Sequence, residues 1–223
     1  MILPWPQISR RYFLIDIDTQ RDFLLTGGDS CIRNHRRILA HIRRLMAWAR
    51  HENIPIISTA EVYRDNGRTT IDHCINGAEG QEKIGYTLLS NRTFFPADGM
   101  NHFPADLFRR HKQVILNKRC IDPFDEPRLD RLLSEVQADE FVLIGSSTEG
   151  AVKATALGLL QRGKNVRVVV DAIGSHNRRE AELALYKMQA KGAKLTVTKN
   201  LAGVSHLRQV GACYRCKANE RRS

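Results

Sequence analysis

Three residues stand where short apolar runs end, and their types could do chemistry together. They are Asp18 after YFLIDI, Lys118 after QVILN, and Ala151 shortly past FVLIG. An Asp and a Lys that meet form an acid–base pair in which the ammonium favours the ionised carboxylate. Ala151 falls in the first turn of the helix expected after FVLIG, where a nucleophile would be held, and it offers only a methyl group. The turn before it, Ser146-Ser147-Thr148, supplies hydroxyls and leads into the unpaired first N–H groups of a helix, which suit negative charge. Thr148, or Ser147 beside it, is the expected N-cap. Spacing alone leaves two readings open: a site for a small molecule, or a structural ion pair closing the top of a sheet.

Six apolar runs must position these residues, and they predict strands over 12–17, 55–59, 113–117, 141–144, 166–170 and 195–198, with Asp171 ending the fifth. Between them lie helical patterns. Asp29 or Ser30 caps the first, which keeps Ile32, Leu39, Ile42, Leu45, Met46 and Ala49 on one face. Another spans 126–136 with Pro127 in its first turn, and a third spans 149–162, ended by Gly163. The last runs from Asn177, with Glu180 completing a capping-box-like start, to about Ala190. Strands alternating with helices predict an α/β fold with a parallel sheet covered on both faces. Ligands of such sheets bind at the carboxyl edge, where the three residues would converge if their strands are neighbours. The stretch from Glu61 to about Met100 reads as a long irregular connection of the kind that covers a site. One domain is expected over 1–203, with a basic, Cys-containing tail over 204–223.

Length and composition fit one domain with a full core: 223 residues, 42 % hydrophobic and 26 % charged. Five scattered cysteines suit reduced thiols better than a disulfide framework. The start of the chain lacks the pattern of a signal peptide, and no apolar run reaches membrane-spanning length, so a cytoplasmic location without membrane contact is expected. The net charge of +11 is spread along the chain without a Lys/Arg block or a nucleic-acid-binding motif. It reads as a basic surface that attracts anionic small molecules; nucleic acid is not an expected partner. Cys213-Tyr-Arg-Cys216 is a lone CxxC in the tail, read as two incidental thiols, although zinc sharing with His206 or a second copy would also use it.

Four segments resemble a known family, the isochorismatase-like hydrolases, also called the cysteine hydrolase family of nicotinamidases. IDIDTQRDFL is similar to its Asp-x-Gln-x-x-Phe opening, and ILNKRCIDPF to its strand-end lysine segment. GSSTEGAVKATALGLLQRGKNVRVVVDA resembles its Gly-x-x-Thr-x-x-Cys-Val-x-x-Thr block with the following Asp-Ala. HCINGAEG resembles its His-Cys-x-x-Gly-Thr-x-Gly loop, with Ala78 where Thr is usual. The resemblance covers about residues 12–198 and implies a Rossmann-like three-layer α/β/α sandwich whose central parallel sheet has about six strands.

The resemblance also implies roles. Asp18 carries over as the acid/base, Lys118 as its partner, and Ala151 as the position of the nucleophilic Cys. A cis Ser146–Ser147 peptide is implied, with the Ser147 and Ala151 N–H groups forming an anion or oxyanion hole and Gln20 beside the substrate. A methyl group cannot form a thioester, so hydrolysis through that covalent intermediate is not expected. Some family members, the true isochorismatases, also lack the Cys and cleave a vinyl ether by protonation from the Asp, then water attack. The implied activity is therefore hydrolysis of a small anionic metabolite by Asp18. Lys118 opposes this by lowering the pKa of Asp18, unless a desolvated pocket or a substrate carboxylate offsets it. Two alternatives stay open: a non-catalytic small-molecule-binding protein, and a Cys amidase whose nucleophile was replaced by Ala. Ser146, Ser147 and Thr148 precede Ala151 by three to five positions and are not expected to replace the thiol; nor are Cys74 and Cys120. Nicotinamidase-like members hold a metal with an Asp-x-His pair and the His of the His-Cys loop. Here the pair reads Glu61-Val62-Tyr63, leaving Glu61 and His73, too few for a transition metal. No metal and no cofactor are expected, and the resemblance implies a homodimer or tetramer.

Overall fold

The computed structural model of the protein describes residues 11–64, 71–97, 103, 104 and 106–204. Seven strands form one sheet in the order β3-β4-β2-β1-β5-β6-β7, and every pairing is parallel. They are β1 Tyr12–Ile17, β2 Ile56–Glu61, β3 Arg92–Phe95, β4 Gln113–Lys118, β5 Glu140–Ser146, β6 Val166–Gly174 and β7 Lys194–Thr196. The helices are α1 Arg21–Leu24, α2 His35–His51, α3 Leu107–Arg110, α4 Pro127–Glu135, α5 Lys153–Gln161, α6 Arg178–Ala190 and α7 Lys199–Ala202. From β1 the sheet continues outward through β2, β4 and β3, and from β5 in the opposite direction through β6 and β7, so the direction of winding reverses between these two neighbours. That reversal opens a crevice at the carboxyl ends.

Alternation along β1 explains the three layers. Phe13, Ile15 and Ile17 pack with the leucines of α4 and with Val152, Ala156 and Leu159. Leu14 faces the other way, onto Ile38, Ile42, Leu45 and Met46 of α2. The central strands are buried on both faces, as continuous apolar runs in parallel sheets require.

Several expected boundaries move. The first long helix starts at His35, not at Asp29 or Ser30, because Ile32 turns its N–H back to the Phe23 carbonyl at 2.9 Å before the helix begins. Ile38 takes a core position in α2, while Leu39 is partly buried at its edge. The sheet has a seventh strand, β3, inside the stretch read as irregular. It is an edge strand with alternating exposure and so lacks a continuous apolar run. β2 runs on to Glu61, and β6 runs on to Gly174 past a register shift opposite Leu143 and Gly145. Asp171 is consequently inside β6, where it accepts hydrogen bonds from the Thr198 N–H and hydroxyl, both at 2.8 Å. Asn177 caps α6 through the N–H groups of Arg179 and Glu180, and Gly163 has φ +70°, both as expected. The expected tail, with Cys213, Cys216 and His206, lies outside the described residues apart from Val204.

Candidate active site

Asp18 follows β1 in a left-handed conformation, φ +46°, which Asp tolerates better than most residues. Its N–H points to Thr59 on β2, and the Thr59 hydroxyl donates to Asp18 Oδ1 at 2.6 Å. The Ser146 hydroxyl, from the end of β5, donates to the Asp18 carbonyl at 3.1 Å. β1 and β5 approach so closely here that a Cβ at Gly145, φ +117°, would collide with the Ile17 carbonyl oxygen. Glycine at 145 therefore sets the distance between Asp18 and the turn after β5.

Lys118 ends β4 and reaches past β2 to the same place. Its Nζ lies 2.9 Å from Asp18 Oδ2 and 2.9 Å from Glu61 Oε1. It also donates to the Cys120 carbonyl at 2.9 Å. Asp18, Lys118 and Glu61 are 1 %, 0 % and 5 % exposed, so water does little to screen them. The contact to Asp18 Oδ2 is an ion pair, and that oxygen has no hydrogen-bonding partner among the described residues. Glu61 is better served. Its Oε2 accepts from the Tyr63 hydroxyl at 3.1 Å and stands 3.7 Å from His73 Nε2.

These differences separate the two carboxyl groups. Burial pushes Asp18 up to about 6, against the pull of Lys118, and the Glu61 charge adds to the rise. Burial acts upward on Glu61 as well, but His73, Lys118 and Tyr63 together hold it down at about 2. His73 is raised by its contact with Glu61, and Lys118 is raised because the two carboxylates outweigh its burial.

The turn after β5 carries the third expected residue. The Ser146–Ser147 peptide is cis. The Val152 N–H reaches the Ser147 carbonyl five residues back at 3.0 Å, giving one wide turn over Thr148–Val152, with Gly150 outside helical angles. Ala151 sits in this turn, 2 % exposed. Neither expected side-chain cap forms: Ser147 makes no capping bond, and the Thr148 hydroxyl donates to the Gly174 carbonyl at 2.9 Å. The wide turn gives way to regular helix only at Lys153, so the first turn lacks the geometry a side-chain cap needs.

Gln20 is placed as a clamp. Its Nε2 donates to the carbonyls of Glu61 and Gln81 at 2.7 and 2.9 Å, and its Oε1 accepts the Glu61 N–H at 2.8 Å. It thereby fixes Glu61 beside Lys118. Glu61 and Tyr63 are the site residues that sequence reasoning missed in this role; it weighed Glu61 only as a metal ligand. The signal was available, since Glu61 falls at a strand end just as Asp18 and Lys118 do. Burial pushes Cys74 far up and Cys120 to about 11, which leaves neither a ready thiolate.

The donor set here does not fit a divalent cation. Both Glu61 oxygens are engaged by protein donors, one of them an ammonium, and Tyr63 supplies a hydroxyl that donates to the carboxylate. Among the described residues no three His, Cys, Asp or Glu side chains are grouped to hold a metal ion.

Known proteins place this arrangement in context. The mouse isochorismatase domain-containing protein 2A is 38 % identical over 65 residues, which cover 29 % of this chain and 32 % of that protein. The chain thus matches about a third of that curated relative's length. The pyrazinamidase/nicotinamidase of Streptococcus mutans UA159 superposes with a TM-score of 0.66 at 23 % identity, over 82 % of this chain and 99 % of that one. An isochorismatase family protein from Desulfovibrio vulgaris does so with a TM-score of 0.68 at 22 % identity, over 86 % and 97 %. Both likenesses are of fold. The model of the isochorismatase domain matches residues 12–200, which include the sheet, Asp18, Lys118 and the wide turn, and the chain belongs to the isochorismatase family.

Proposed function

We propose that the protein hydrolyses a small anionic metabolite by acid/base catalysis at Asp18, without a covalent thioester. The observation that carries this reading is the buried Asp18 carboxyl, lifted to about 6 although an ammonium stands 2.9 Å away. A carboxylic acid of that strength is partly protonated near neutral pH and can deliver a proton to a substrate, the terminal carbon of a vinyl ether being the simplest case. The proton passes from Asp18 to the vinyl carbon, water adds to the resulting oxocarbenium ion and returns a proton to Asp18, and the hemiketal so formed collapses, breaking the carbon–oxygen bond and releasing a carbonyl compound and an alcohol. Lys118 holds Asp18 in place and attracts a substrate carboxylate. The N–H groups of Ser147 and Ala151 bind a carboxylate of the substrate. Ala151 takes the place of the nucleophilic Cys of related amidases, and Gln20 acts through Glu61. The reaction needs no metal and no cofactor.

The test is turnover across vinyl ethers, esters and amides that carry a carboxylate, with intact-mass spectrometry during reaction. Hydrolysis with no mass added to the protein supports the proposal. Saturable binding with no turnover of any of them favours the second reading, a small-molecule-binding protein on a hydrolase scaffold, which the methyl group of Ala151 also suits.

A further inference from the structure

A cavity of about 560 Å³ opens at the carboxyl end of β6, between the starts of α2 and α6. Its floor is apolar, with Val170, Ile173 and Leu185; Arg33 and Arg37 line it from the α2 side and Arg178 from α6. The volume is that of a small-molecule site. Arg178 lies 2.9 Å from Glu182, a carboxylate that also lines the cavity. Arg33 and Arg37 have no ion-pair partner among the described residues. Three guanidinium groups therefore face one carboxylate.

The electrostatics of α2 make this placement mildly unfavourable without a ligand. The helix has 17 residues and no acidic residue in its first turn, where Arg36 and Arg37 stand instead, with Arg33 just before them. Cations at the positive end of a helix are disfavoured, and like charges one turn apart repel. A dianion between the arginines removes both penalties. Guanidinium groups pair with phosphate in planar, two-pronged fashion, and three of them match a phosphate better than a single carboxylate.

We propose that this cavity binds a small phosphorylated molecule of nucleoside monophosphate size. The phosphate sits among Arg33, Arg37 and Arg178, and an apolar or aromatic body covers Ile173 and Leu185. Thr148 also lines the cavity. Glu149 Oε1 accepts the N–H groups of His176 and Asn177 at 2.8 and 3.2 Å. The ligand consequently abuts the turn that carries Ala151. This site is independent of the proposed hydrolysis.

Isothermal titration calorimetry on the full chain, with adenosine monophosphate, inorganic phosphate and adenosine as probes, tests it. Adenosine monophosphate should bind saturably, phosphate more weakly, and adenosine not measurably. The Arg33→Ala/Arg37→Ala variant, altered only at exposed side chains, should keep its circular dichroism and melting temperature and bind at least about tenfold more weakly. Arg178→Ala should weaken binding in the same direction. Equal binding of adenosine and its monophosphate, or unchanged affinity in the double variant, overturns the proposal. So does binding of an RNA oligonucleotide without binding of the mononucleotide, or dissociation of a dimer as the main effect of the arginine changes.

Discussion

Asp18 and Glu61 share one ammonium, each with an oxygen 2.9 Å from Lys118 Nζ, yet they hold protons very differently. Glu61 has Tyr63 and His73 as further partners for its charge. Asp18 has only the Thr59 hydroxyl on its other oxygen and is more deeply buried. A single cation between two buried carboxylates leaves one negative charge in excess. The proton that relieves it is taken up by Asp18, the carboxyl with fewer donors, as pH falls through about 6.

The pH dependence of turnover follows. If protonated Asp18 is the acid, kcat/KM should fall as pH rises through about 6. Glu61→Gln removes a charge that raises Asp18 and gives it sole possession of Lys118, so the falling limb should move to lower pH. A limb that stays in place in the variant would separate Glu61 from the control of Asp18.

Lys118 also supports the fold. Lys118→Met leaves two buried carboxyl groups without their cation and should lower unfolding stability by about 3–5 kcal/mol, read by denaturant melting at neutral pH. Acidification should narrow the gap to the parent protein. Lys118 lowers both carboxyl groups, so without it they take up protons at higher pH than in the parent, and the variant regains stability as they do so on acidification. Losses equal at pH 5 and pH 8 would contradict this.

Ala151→Cys places a thiol in the wide turn, at the position proposed for the family nucleophile. It should be alkylated by iodoacetamide faster than Cys74, whose thiol burial pushes far up. Peptide mapping of the labelled variant checks this; label at Cys74 before position 151 would mean that the turn does not hold an accessible side chain.

Most of the fold was legible because buried parallel strands are continuous apolar runs, and β1, β4 and β5 announce themselves in that way. β3 was not, since Arg92–Phe95 alternates at the sheet edge inside a polar stretch. The pairing of Asp18 with Lys118 could be anticipated from their strand-end positions, whereas the fact that β2 lies between β1 and β4 could not. That sheet order brings Glu61 into the cluster. The conformation of Thr148 was hidden for a related reason: its hydroxyl serves Gly174 on β6, 26 residues away, and no local pattern records such a partner.

Added chelator should leave turnover unchanged, because the Glu61, Tyr63 and His73 side chains are occupied by one another and by Lys118. Loss of activity on chelation, restored by one divalent cation, would place a metal in the reaction.

The most direct measurement is kcat/KM of Asp18→Asn against the parent protein on the best substrate found, with melting temperatures in parallel. Asn fills the same space but can neither donate a carboxyl proton nor regain one, so turnover should drop by about 10²–10⁴-fold while the variant remains folded. Full activity in a folded Asp18→Asn protein would contradict the assignment of the acid to Asp18.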